Sequence, residues 1–152
     1  MEGWLNQLAG TALAEWVQVS RWGYAGINTL HVLGIALLFG SIAALDLRLL
    51  GACRHLSLLA VARLLQPLAI AGLLLALASG SLLFLADPGG YAATPLFLVK
   101  LGVIVLAIAN AVALNLAPGL ARASSRRLRS AALASLLLWL AALIAGRMLA
   151  FV

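Results

Sequence analysis

The stretch Ile27 to Leu50, INTLHVLGIALLFGSIAALDLRLL, constrains this chain more than any other. From Ile27 to Leu45 its only strongly polar side chains are those of Asn28 and His31. A helix of roughly 20 apolar residues crosses a hydrocarbon core of about 30 Å. A water-soluble domain is about 45–50% apolar and about 25% charged; this chain of 152 residues is 65% hydrophobic and 9% charged. Such a composition cannot supply a solvated surface, so lipid is the expected solvent. Leu and Ala dominate, and no segments of about ten residues alternate in polarity as in an outer-membrane barrel. The expected fold class is an all-α integral membrane protein.

Three further apolar runs complete a four-transmembrane-helix bundle, read as one membrane domain over residues 1–152. The expected spans cover about 23–45, 64–86, 94–116 and 131–150. Gln66-Pro67 fits the start of the second, because proline is tolerated in a first helical turn. Asp87-Pro88-Gly89-Gly90 reads as a turn. Thr94-Pro95 reads as a cap followed by proline at the first helical position. Gly72, Ala76 and Gly80 form a small-residue stripe, read as helix packing. Residues 1–22 are interrupted by Glu2, Glu15 and Arg21, while Trp4, Leu8, Trp16 and Val17 recur at helical spacing. They suggest an N-terminal interfacial amphipathic helix. No cleavable signal peptide is expected, because the start carries Glu2 and lacks a short apolar segment with a small-residue cleavage site.

The net charge is +6, but the bases lie in connections and are not arranged as a nucleic-acid footprint. Seven of the ten, Arg48, Arg54, Arg63, Arg122, Arg126, Arg127 and Arg129, fall in the 1–2 and 3–4 connections. That bias places those connections in the cytoplasm and both termini outside, periplasmic in a bacterial inner membrane. The 122–129 arginines are read as topology signals that touch anionic lipid. Cys53 is the single cysteine, so an internal disulfide is excluded.

Intramembrane ionisable groups are costly, which makes His31 the leading candidate for a functional side chain. Lys100 and Arg147 are expected in the same outer half of the bundle. The four acids, Glu2, Glu15, Asp46 and Asp87, are all expected at ends or in loops. An acid-free basic cluster suits haem b. Its iron accepts an imidazole nitrogen, and its propionates suit arginine or lysine, here Arg21, Lys100 or Arg147. Lys100 is alternatively a second axial ligand, as a neutral amine. Gly34, one turn from His31, would let a flat macrocycle lie against the helix. The competing reading has His31 hydrogen-bond a neighbouring helix through Asn28, Asn110 or Ser79. Asn110 and Asn115 are read as interhelical hydrogen-bonding groups. A transporter ranks last, for want of an acid or a mid-span proline inside the bundle.

The segments INTLHVLGIALLFGSIAALDLRLLG, QPLAIAGLLLALASGSLLFLADPGGY and TPLFLVKLGVIVLAIANAVALN resemble a family of four-span bacterial membrane proteins. That family is distantly similar to the copper-resistance CopD membrane domain and to HemJ. The resemblance implies b-type haem at His31 and Lys100, and protoporphyrinogen oxidation as an alternative activity. The copper reading conflicts with the scarcity of soft ligands, since only Met1, Met148 and Cys53 carry sulfur. The expectation is therefore a small cytochrome-like protein exchanging electrons with a quinol or a partner subunit. The alternatives are a HemJ-like oxidase acting on a tetrapyrrole, a cofactor-free accessory subunit, and a CopD-like copper handler. Glycine faces leave room for a homo-oligomer.

Overall fold

A computed structural model describes residues 10–116, 119–120 and 122–151. The described residues are helical, without a strand. The elements are α1 (Ala12–Val19), α2 (Arg21–Leu50), α3 (Leu58–Phe84), α4 (Pro88–Ala93), α5 (Pro95–Leu116) and α6 (Ser125–Met148), with a closing 3-10 turn at Leu149–Phe151. Four of them, α2, α3, α5 and α6, are long and apolar enough to cross a membrane. The protein is an all-α, four-helix, multi-pass membrane bundle preceded by a short helix. The large aliphatic side chains left exposed along these helices, such as Leu74, Val105 and Leu137, would be untenable in water and suit lipid.

Several helix limits differ from the expected ones. α2 has 30 residues, and α3 begins six residues before the expected start at residue 64. Pro67 therefore lies inside α3, where it withholds the amide hydrogen that the Arg63 carbonyl would otherwise accept. Asp87 to Gly90 is more than a turn. Asp87 caps α4, its Oδ1 accepting from the Gly90 amide at 3.0 Å, and Pro88 takes the first helical position. α6 starts at Ser125, capped by Ser124, so Arg126, Arg127 and Arg129 stand on its first turns rather than in a loop. Of the expected helix over 1–22, the described residues form a helix at Ala12–Val19, while Arg21 and Trp22 already belong to α2. Residues 1–9, with Glu2 and Trp4, lie outside them.

The described residues fall into two compact units. One holds those up to Leu38 together with Ile70–Pro95; the other holds Phe39–Ala69 and the described residues from Leu96 onward.

In the first unit α1 buries Ala14 and Val17 and exposes Glu15, Trp16 and Gln18. Ser20 breaks the helix with extended backbone. Its hydroxyl then accepts from the Gly23 amide at 3.0 Å and starts α2. The Trp16 ring lies where a Gly23 side chain would be. Between α2 and α3 the backbones meet at glycine. A Cβ on Gly34 would stand 2.7 Å from the Ala76 nitrogen and 3.0 Å from the Gly72 carbonyl oxygen. A Cβ on Gly72 would stand 2.5 Å from the Leu38 nitrogen and 2.8 Å from the Gly34 carbonyl oxygen. The contact is reciprocal, the close approach that small residues permit where hydrophobic association is weak.

In the second unit Leu49, Leu114 and Ala132 form a buried centre, flanked by Leu45, Leu58 and Leu128. Polar pairs join its helices. Asn110 Nδ2 donates to the Ala131 carbonyl at 3.0 Å, and Gln66 Nε2 donates to Asn115 Oδ1 at 2.6 Å. Asn110 and Asn115 are thus the interhelical groups they were expected to be.

Gly34→Leu forces backbone atoms apart and should cost about 1–3 kcal/mol as an overpacked contact. Gly26, with nothing within 4 Å of its Cβ position, should accept Ala with a gain of up to about 1 kcal/mol. Thermal melting of the two variants in detergent checks this: the first midpoint falls and the second does not.

Candidate functional site

In the first unit His31 sits on α2 and reaches across to α3. Its Nδ1 lies 2.9 Å from the Ala76 carbonyl oxygen and 3.2 Å from Ser79 Oγ. A carbonyl oxygen only accepts, so Nδ1 carries a proton; in the neutral ring Nε2 then holds the electron pair. The Ser79 hydroxyl donates to the Leu75 carbonyl at 2.6 Å, which turns an oxygen lone pair toward the imidazole. The seat under the ring is Gly80, whose Cβ position is 2.9 Å from His31 Cε1. Ser79 was an expected partner of His31. Gly80 was assigned to packing, and the structure gives it this second use. Its signal in the sequence was its place one turn beyond Ala76 on the same face.

The other expected site residues are distributed as follows. Gly34 faces the α3 backbone, so the space expected for a macrocycle on that side is filled by helix. Asn28 and Arg21 share the first unit with His31, and both are exposed. Lys100 and Arg147 belong to the second unit. The Lys100 stem is half-buried and lies along Gly146, its Cε 3.4 Å and Nζ 3.5 Å from that residue's Cβ position. Arg147 is exposed, with its guanidinium 4.7 Å from the centre of the Phe151 ring, a cation–π contact. His55 is exposed in the connection after α2. Among the described residues no three His, Cys, Asp or Glu side chains gather to hold a metal ion.

The expectation about acids is corrected at Asp46. It lies inside α2, four residues from its end, and is only 5% exposed. The Ser135 hydroxyl of α6 faces its carboxyl group, while Oδ2 is buried without a hydrogen-bond partner. One turn along α6, the buried indole Nε1 of Trp139 is equally unpartnered. Asp46-Leu47-Arg48 looked like the far end of a span because charge usually marks one. The helix instead continues to Leu50 and turns Asp46 inward, with Arg48 on a different side. Outside the spans, Tyr91 stacks obliquely on Phe84, with ring centres 6.2 Å apart. Burial first, then Tyr24 and Asp87, push its phenol above the usual range.

Comparison with protein-family models, curated proteins and solved structures gives no match. The functional reading therefore rests on the side chains themselves.

A buried carboxylate with an unpartnered oxygen destabilises its surroundings by about 1–3 kcal/mol or more. Asp46→Asn removes the charge at nearly constant volume and should raise the melting midpoint in detergent at neutral pH. A midpoint lowered by several degrees would mean that the carboxylate holds a partner of its own.

Proposed function

We propose that this protein is a small b-type haem-binding protein of a bacterial inner membrane, in which His31 would hold the iron, with electron transfer as its role. The observation that supports this most directly is the bond from His31 Nδ1 to the Ala76 carbonyl. Metal-ligating histidines commonly donate their second ring nitrogen to a carbonyl or carboxylate, which fixes the tautomer and aims the other nitrogen. The lone pair on Nε2 is what ferric or ferrous iron needs. Bound haem would supply one-electron chemistry at its iron, with this nitrogen as the group that holds it. The α2–α3 pair holds the ring's orientation through Ala76 and Ser79. Arg21 and Asn28, exposed on the same helix, supply a cation and an amide in the same unit for anionic or polar edges of a guest. A quinol or a membrane-bound redox subunit is the electron partner in this reading.

A second reading has its own support. The imidazole is seated directly on Gly80, as in a structural hydrogen bond between helices. In that case the bundle carries no cofactor and serves as an accessory subunit.

Absorption spectra separate the two. Protein expressed with haem available and purified intact should show a Soret band that shifts on reduction. His31→Ala should lose it and His55→Ala should keep it. Gly80→Ala, whose methyl displaces the ring, should weaken or shift the band. A colourless wild-type protein that melts cooperatively selects the cofactor-free reading.

In the proposed topology the 1–2 and 3–4 connections face the cytoplasm, and α1 lies along the outer membrane surface with Trp16 and Trp22 at headgroup depth. Cys53 makes this directly measurable, since it is the single cysteine and is exposed after α2. A membrane-impermeant maleimide should label it in inverted vesicles and leave it unlabelled in right-side-out ones. The opposite pattern reverses the topology.

A further inference from the structure

The C-terminal end of α2, the connection after it and the first turns of α6 enclose a cleft of about 340 Å³. Three guanidinium groups line it, from Arg48, Arg54 and Arg129, and no carboxylate does. Two of the three are held in place by backbone carbonyls. Arg48 Nε and Nη2 donate to the Leu56 carbonyl at 2.9 and 2.7 Å, and Arg54 Nε donates to the Gly51 carbonyl at 3.2 Å. Gly51 makes this arrangement possible in two ways. Its φ of +115° lets the chain turn back, with the Ala52 amide donating to the Leu47 carbonyl at 2.9 Å. A Cβ there would also stand 2.9 Å from Arg54 Nη2, where the guanidinium now lies. Ser125, the first residue of α6, adds the positive end of a 24-residue helix.

Carbonyl bonds neutralise none of this charge. They fix the direction of two cations in a concave site, with a third on the facing wall. Planar guanidinium groups suit phosphate oxygens, as they do carboxylates, because they donate two parallel hydrogen bonds, and phosphate is the anion that a bilayer presents at a helix end. The cleft lies where two spanning helices end, at the level of lipid headgroups rather than in the hydrocarbon. Leu58 and Leu128, both partly exposed, line it as well and give acyl chains an apolar margin.

We propose that Arg48, Arg54 and Arg129 form a binding site for the phosphate of an anionic lipid headgroup, such as a phosphatidylglycerol. The site is distinct from His31 and does not depend on what His31 binds.

The test uses the full chain in detergent, titrated with phosphatidylglycerol or with phosphatidylcholine and followed by native mass spectrometry. Phosphatidylglycerol adducts should appear at lower lipid concentration than phosphatidylcholine adducts. Arg129→Gln and Arg54→Gln should each weaken phosphatidylglycerol binding about fivefold, the effect of one arginine at a charged membrane surface. Arg122→Gln, in the neighbouring segment but outside the cleft, should leave it unchanged. Equal binding of the two lipids overturns the proposal. An equal loss in Arg122→Gln also overturns it, because the charge would then act diffusely. Inorganic phosphate that displaces the lipid at comparable concentration would assign the cleft to a soluble phosphate ligand and overturn the lipid assignment. Arg129 and Arg54 are exposed, so their variants should keep wild-type circular dichroism. Should one of them fail to fold, the other still decides the outcome.

Discussion

The approach of α2 to α3 at Gly34 and Gly72 sets what the first unit can do. Each glycine occupies the place where the other helix presents backbone, and neither has room for a methyl group. In lipid the hydrophobic effect does not press helices together, so dispersion contacts and interhelical hydrogen bonds must do it. The glycines let the backbones come close enough for both. About one turn along α2, the same approach brings His31 to the Ala76 carbonyl and seats its ring on Gly80. The histidine is thus oriented by a packing contact that contains no polar side chain of its own.

The two units solve the same problem differently. The first relies on small residues and one imidazole. The second uses amide side chains, Asn110, Asn115 and Gln66, as interhelical donors and acceptors, around a leucine and alanine centre. Amide hydrogen bonds in a membrane are worth about 0.6–2 kcal/mol each, so both devices contribute modestly and locally. Asp46 stands outside this logic. A buried carboxylate with one unpartnered oxygen is not a packing device, and ionisable groups in a span are retained for what they do.

The four spans were legible because apolar length alone determines them. The site was legible only in part. His31 stood out because an imidazole in an apolar run is conspicuous. Ser79 could be named as a partner because it is one of few polar groups in α3. Gly80 could not be given its role, since a glycine stripe looks the same whether it meets backbone or a ring. Pro67 was read as a helix start because proline favours first turns. In fact α3 starts at Leu58, six residues before the expected start, where an apolar run containing one arginine resembles a connection. Asp46 was read as a terminus because burial depends on which helix comes alongside, and no pattern within α2 reveals Ser135 of α6.

The length of α2 bears on the kind of bilayer that suits the protein. Thirty residues make a rod of about 45 Å, against a hydrocarbon slab of about 30 Å. Its surplus carries Arg21 and Trp22 at one extremity and Arg48 at the other, side chains at home among headgroups. Hydrophobic mismatch can therefore be absorbed by sliding these ends through the interface, at fractions of a kcal/mol per Å. The glycine contact and the imidazole seat lie inboard of that margin. A thicker or thinner membrane would be accommodated at the periphery of the rod, leaving the geometry around His31 undisturbed.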